Sequence, residues 1–233
     1  MSIIIKFILN DLLITIPILL WVFFVMKVIS RWIFDFAIKK GYAPDSATYF
    51  GRKTIHFLAS GIVALLIPIL YKEPILPFLS AIFLAVYTYL HHKKNKLQEW
   101  YQVKNNTKEV NFAIMGGVSI LVGWYFDRTF WLGVIPVLFM SFGDGITGII
   151  RNMIYKKRTK AWEGSFGMLF VCILIGSRMG WAGIIAAIFA TIIEKFMPID
   201  SNVLDDNIAI PIASLIILII FKSFLPSLTQ SFF

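Results

Sequence analysis

The sequence predicts an all-α fold, a polytopic membrane helix bundle of about eight transmembrane helices. Three observations carry this. Of the 233 residues, 58% are hydrophobic and only 15% are charged, whereas a soluble domain is usually about half apolar and a quarter charged. The mean hydropathy is +0.79. The apolar residues fall into eight segments, at about 7–28, 55–71, 74–90, 110–126, 129–150, 165–178, 181–197 and 208–226. Each is near the roughly 17–25 residues that a helix needs to cross the hydrocarbon core. The segments are continuously apolar, not short and alternating, which favours helices over a closed barrel.

The whole chain, 1–233, reads as a single integral membrane domain. Cys172 is the only cysteine, so an internal disulfide is excluded and a cysteine-based metal site is not expected. No small-residue cleavage site follows the first apolar run, which therefore reads as a helix and not as a cleavable leader. The cations divide unevenly between alternate connections. One set holds Lys27, Arg31, Lys39, Lys40, Arg52 and Lys53, then Lys93, Lys94, Lys96, Lys104 and Lys108, then Arg151, Lys156, Lys157, Arg158 and Lys160, then Lys195. The other holds Lys6, Lys72, Arg128, Arg178 and Lys222. Cytoplasmic loops carry the excess of Lys and Arg, so the first set is expected inside and both termini outside. Topology and attraction to anionic membrane lipids account for the net charge of +9, and no nucleic acid is implied.

Taken in order, the first segment carries Asp11 near its outer end, with no assigned role. Arg52-Lys53-x-x-His56 opens the second. Four residues apart on a helix, Arg52 and His56 share a face with Lys53 close by. The trio is either a positive flank or a phosphate clamp. His91 and His92 close the third segment beside lysines, without acidic neighbours at ligand spacing, and read as interface residues. Glu109 opens the fourth as a solvated helix-start carboxylate. Gly116, Gly117 and Gly123, and later Gly167 and Gly176, suit close helix packing.

The fifth segment leads into Gly143-Asp144-Gly145, and here the chemistry concentrates. Asp144, Thr147, Gly148 and Arg151 recur at helical spacing on one face. A carboxylate at the edge of an apolar segment is costly and needs a partner or a function. One possibility is a buried pair with Arg151. The other is a Mg²⁺ ligand, because Lys160, Glu163 and Ser165 return to the same level, and Mg²⁺ prefers one or two carboxylates plus substrate phosphates. The basic loop through Arg151, Lys156, Lys157, Arg158 and Lys160 suits a nucleotide's phosphates. It is not a Walker loop, for no GxxxxGK[ST] occurs. Glu194 closes the seventh segment, and Asp200, Asp205, Asp206 and Asn207 follow, as a plain polar connector or as a metal partner. Pro198 and Pro211 mark boundaries there.

In this order the motifs across 50–215 resemble the dolichol kinase, phytol kinase and CTP-dependent diacylglycerol kinase family of integral membrane lipid kinases. Arg52-Lys53-x-x-His56 is similar to the family's Arg-Lys-x-x-His, and Gly143-Asp144-Gly145 to its Gly-Asp box. Lys160-Ala161-Trp162-Glu163-Gly164-Ser165 is similar to its Lys-Ser/Thr-x-Glu/Ala-Gly-Ser/Thr box. Glu194 with Asp206-Asn207-x-x-x-Pro211 is similar to its closing stretch. The chain departs from the pattern in three places. Arg151 and Tyr155 stand at or near the two positions where the family carries glycines, and Ala161 replaces a hydroxyl residue.

The resemblance implies transfer of the γ-phosphoryl group of a nucleoside triphosphate, commonly CTP, to a polyprenol, dolichol-like or other isoprenoid alcohol. It implies Mg²⁺ on Asp144 and Asp206, with Asp144, Lys160, Glu163 and Glu194 as catalytic residues. Arg52, Lys53, His56, Gly143, Gly145, Arg151, Gly164, Ser165 and Asn207 would contact nucleotide or phosphate. The partners implied are the lipid alcohol, the nucleotide and membrane lipids, in a cell membrane with the site facing the cytoplasm. A membrane cytidylyltransferase is the nearest alternative, but 195–207 lacks the longer acidic cluster expected of one. A small transporter would place polar residues at mid-membrane in broken helices.

Single-cysteine labelling of intact cells tests the topology. Lys72→Cys should react with an impermeant reagent from outside, and Lys157→Cys only after permeabilisation; the opposite pattern would invert the assignment.

Overall fold

The structure is a computed structural model that describes residues 2–104, 106–156, 159–198 and 205–232, with side chains from Asn10 onward. Among them are eight long helices: α1 (Asn10–Lys39), α2 (Pro44–Leu70), α3 (Ile75–Lys93), α4 (Lys108–Phe126), α5 (Trp131–Tyr155), α6 (Trp162–Gly176), α7 (Gly180–Phe196) and α8 (Asp206–Phe224). Helices α6 and α7 are one apolar stretch folded back on itself. Gly180 turns the chain at φ +55°, a conformation that an L side chain resists. At the other end of the hairpin the Trp162 and Phe196 rings lie 6.5 Å apart. Counting the hairpin as one run, seven helical runs are long and apolar enough to cross a membrane. The chain is an integral membrane protein, and large apolar side chains such as Leu13, Ile69, Phe170 and Trp181 face outward, as a lipid-facing surface requires.

Three helices run well past their apolar segments. Helix α1 continues to Lys39, so Arg31 and Lys39 are helical. Helix α2 starts at Pro44, whose fixed φ suits the first helical turn, with Asp45 in that turn. Arg52, Lys53 and His56 therefore lie within the helix and not at its mouth. Helix α5 continues to Tyr155, so Arg151 belongs to the helix and not to the loop after it. Among the described residues, three π-helical turns interrupt the α-helical pattern, at Val25–Ile29, Ile55–Gly61 and Phe139–Gly143.

Helix α5 is the centre. It is apolar nearly all round, and a helix with no polar face must be buried. Leu132, Val134, Ile135, Phe139 and Met140 are inaccessible, and α2, α4, α6 and α8 surround them. Close approach depends on Gly123 and Gly133, where a side-chain carbon on Gly123 would lie 2.2 Å from the Gly133 Cα. Ser119 Oγ donates to Gly133 O at 2.9 Å across the same contact. The helix ends fix the level of everything else. The starts of α4 and α8 are tied by Asn111 Nδ2 to Asp205 Oδ2 at 3.2 Å and by Asn207 Nδ2 to Lys108 O at 3.2 Å. At the opposite end Thr15 Oγ1 and Tyr71 Oη are 2.9 Å apart. The described cations of the larger set gather at the first end. Lys157, Arg158 and Asp200, and the side chain of Lys6, lie outside the described residues.

The α6–α7 hairpin yields a stability test. A Cβ on Gly183 would lie 1.8 Å from Gly176 O, so Gly183→Val must part the hairpin at its turn. We expect a loss of about 1–3 kcal/mol, read as a lower thermal midpoint in detergent; an unchanged midpoint would show that the two glycines do not set this packing.

Candidate functional site

Two of the π turns meet beside Asp144. Ser60 Oγ and Ser141 Oγ are 2.8 Å apart, and the Phe57 and Phe142 rings pack edge to face at 5.4 Å. Such turns often mark functional positions because they displace the side chains that follow from the regular helical register. Here one turn directly precedes Asp144 in α5 and the other contains His56 in α2, with Lys53 in the α-helical turn just before it. Lys53 Nζ lies 2.5 Å from Asp144 Oδ2, and His56 Nδ1 lies 3.6 Å from the same oxygen. Gly148 makes the approach possible, since a Cβ there would lie 2.6 Å from Lys53 Cε.

A second ion pair sits alongside. Arg151 grips Glu194 with both ends of its fork, Nη1 to Oε1 at 2.8 Å and Nη2 to Oε2 at 3.0 Å. Its remaining donors go to Ala161 O and Ser165 Oγ, each at 2.9 Å. Lys160 Nζ reaches Glu194 Oε1 and the Glu194 carbonyl, both at 2.5 Å. A side chain at Gly164 would strike Arg151, with a Cβ 2.6 Å from Nε. Asp206, half-buried in the first turn of α8, completes the group: ligand oxygens of Asp144, Glu194 and Asp206 all lie within 4.8 Å of one another. Lys53, His56, Asp144, Arg151 and Glu194 are each 6% exposed or less.

Three carboxylates thus meet three cations, Lys53, Lys160 and Arg151, at a site buried on all sides but that of Asp206 and Lys160. The oxygen donors and their spacing fit a hard divalent cation such as Mg²⁺. Both carboxylate oxygens of Glu194 are taken by Arg151 and Lys160, whereas Lys53 takes only Oδ2 of Asp144, which leaves Asp144 and Asp206 as the freer carboxylates. Next to them Asp205 caps α8, its Oδ1 accepting from Ile208 N at 3.2 Å. Burial pushes the Asp205 carboxyl above the ordinary carboxylate range, against the hydrogen bond from Asn111, with the charge of Asp206 adding to the rise.

The structure does not bring every residue singled out above into this cluster. Glu163 is exposed, and its Oε1 accepts from Tyr155 Oη at 2.8 Å. Arg52 turns to Glu109, Nη2 to Oε2 at 3.5 Å. Gly143 and Gly145 are helical and packed under Cys172 and Phe57, and they form no open phosphate loop. Gly164 and Ser165 serve Arg151, and Asn207 joins α8 to α4. The pairing of Asp144 with Arg151 is replaced by Asp144 with Lys53 and Arg151 with Glu194. Glu109 is not a solvated helix start: it is mostly buried, bonded to His92 Nε2 and accepting from Gln102 Nε2 at 3.1 Å. His92 therefore has an acidic partner that chain spacing did not reveal.

No family model matches the chain, and no solved structure matches it. Among curated proteins it is similar to one named "Probable phytol kinase, chloroplastic" from Zea mays, with 24% identity over 205 residues. The match covers 71% of this chain and 64% of the relative, so the chain spans less than two thirds of that protein's length.

The Lys53–Asp144 contact gives a thermodynamic prediction. Asp144→Asn leaves a buried ammonium without its main partner and should lower stability by about 3–5 kcal/mol. The Lys53→Met/Asp144→Asn double variant should recover more than half of that. Unfolding of both in the same detergent decides it, and additive losses would show that the pair is not coupled.

Proposed function

We propose that this protein is an isoprenoid-alcohol kinase of the membrane, transferring the γ-phosphoryl group of a nucleoside triphosphate, CTP in preference to ATP, to a lipid hydroxyl. The observation that carries this is the meeting of Asp144, Glu194 and Asp206 with Lys53, Lys160 and Arg151 at one end of an apolar helix bundle. A magnesium–triphosphate complex carries both signs of charge, and the cluster offers both. The likeness to a protein named as a phytol kinase supports the same class of acceptor. That relative's name is a kinase's, and 195–207 lacks a cytidylyltransferase-like acidic cluster, so the kinase stands ahead of that alternative.

Bound Mg²⁺ would supply neutralisation of charge on the transferred phosphoryl group, held by Asp144 and Asp206. Lys53 and Lys160, paired here with Asp144 and Glu194, would move to phosphate oxygens when a nucleotide enters. Arg151 keeps Glu194 fixed. The lipid oxygen attacks the γ-phosphorus, the bond to the β-phosphate bridging oxygen breaks, and a nucleoside diphosphate leaves. His56 touches Asp144 and also faces the apolar interior where a lipid hydroxyl would sit, and we assign it to accept the hydroxyl proton. Positioning and charge neutralisation then supply most of the rate. The basic end, and with it the site, faces the cytoplasm by the charge rule.

The test is phosphorylation in detergent with γ-labelled CTP or ATP against phytol, geranylgeraniol, a polyprenol and diacylglycerol. Label should pass to an isoprenoid alcohol, cease on chelation of Mg²⁺, and fall by about 10²-fold or more in folded Asp206→Asn. Absence of transfer to every acceptor would refute the kinase.

A further inference from the structure

Between α1, α2, α3 and α4 lies an apolar cavity of about 150 Å³ that none of the motifs above explains. It begins at Arg52, His56, Tyr101 and Glu109 and ends against Ile67 and Tyr71. His56 is thus shared, lining the cavity while it touches Asp144. From His56 to Leu70, the last helical residue before Tyr71, is fourteen residues, or about 21 Å at 1.5 Å per residue. That is about two thirds of a hydrocarbon core of about 30 Å. Tyr71, hydrogen-bonded to Thr15, closes the far end.

Two further features point to a ligand. At the polar mouth Tyr101 Oη is buried without a hydrogen-bond partner, and Glu109 Oε2 accepts none, facing Arg52 only at 3.5 Å. Buried polar atoms are normally satisfied. Burial pushes the Tyr101 phenol up, with Tyr87 and the Glu109 carboxylate adding to the rise, so it stays a neutral donor. The pair is therefore a donor and an acceptor, the complement of one hydroxyl. Along the walls Gly116 departs from the neighbouring glycines: a Cβ there meets nothing within 4 Å, whereas one on Gly117 would lie 2.8 Å from the Ala81 side chain. Gly116, Ala59 and Ala81 all line the cavity, and these small residues leave width for a methyl-branched chain.

We propose that this cavity holds the single isoprenoid tail of the alcohol substrate, its hydroxyl at the Tyr101–Glu109–His56 mouth and its tail ending beneath Tyr71. This rests on the kinase reading for the identity of the occupant. The channel has its own observations: a polar mouth with a buried tyrosine hydroxyl that makes no hydrogen bond, a bore that runs most of the way through the bundle, and a closed end. One bore fits one tail, so diacylglycerol should be excluded.

Two measurements test it. Wild-type protein is photolabelled with geranylgeraniol carrying a diazirine at its tail end. Label should fall on inward residues near Ile67 and Tyr71 and be displaced by unlabelled geranylgeraniol but not by diacylglycerol. Separately, Gly116→Phe, with Gly116→Ala as the folding comparison, should lower the ratio of kcat/KM for geranylgeraniol to that for geraniol by about tenfold or more. Label confined to outward residues such as Leu65 and Ile69, or displaced equally by diacylglycerol, would overturn the channel even if Gly116→Phe does not fold. An unchanged ratio in folded Gly116→Phe would also overturn it. Inward labelling in a protein that phosphorylates nothing would instead retain the channel and refute the kinase.

Discussion

Four charged side chains, Lys53, Asp144, Arg151 and Glu194, are buried together beside the partly exposed Lys160 and Asp206, and the rest of the bundle is arranged to make that tolerable. An isolated ionised group in such a place costs several kcal/mol of desolvation, which mutual attraction offsets only with close, well-directed contacts. Lys53–Asp144 and the Arg151–Glu194 fork provide such contacts. Their shortness has structural conditions. Gly148 and Gly164 must lack side chains for Lys53 and Arg151 to pass. The turns at Ile55–Gly61 and Phe139–Gly143 must meet for α2 and α5 to face each other. The starts of α4 and α8 must be stitched by Asp205, Asn111, Asn207 and Lys108 for Asp206 to reach the cluster.

The helix scaffold was largely legible because lipid allows few solutions. Length and apolarity locate the spans, and the structure keeps all eight segments while extending α1, α2 and α5. The extensions of α1 and α2 include the amphipathic stretches Ser30–Lys39 and Pro44–Thr54, whose polar residues hydropathy alone does not distinguish from loop. Asp144, Lys160, Glu194 and Asp206 were identifiable because charge at a membrane edge is conspicuous. Their partners were not. Lys53 and Asp144 are 91 residues apart, and Arg151 and Glu194 are 43 apart. Local spacing favoured Arg151 for Asp144, four positions C-terminal to Thr147 on the same face, and only the packing of α7 against α6 places Glu194 within its reach. Glu109 was misjudged for the same reason, since His92 and Arg52 come to it from α3 and α2.

The departures from the pattern that the chain resembles acquire a physical meaning. Arg151 and Tyr155 each hold one of the two glutamates of the following motifs, Glu194 and Glu163 respectively. Where the pattern has glycines, this chain has side chains that tether acids. The backbone approach that glycine would allow is exchanged for fixed electrostatics, and Glu163 is drawn to the outer surface with Tyr155.

The cavity that ends at Tyr71 differs in kind from a pocket in a soluble enzyme. A tail entering from water would gain about 0.8 kcal/mol for each methylene buried, and a longer tail would bind more tightly simply by being longer. A tail entering from the bilayer leaves surroundings as apolar as those it meets, so that gain is absent. With the proposed occupant, selection between alcohols would then fall to fit: the width beside Gly116, the depth above Tyr71 and the two polar atoms at the mouth. Chain length would act as a limit to be exceeded or not, and affinity would not have to rise with it.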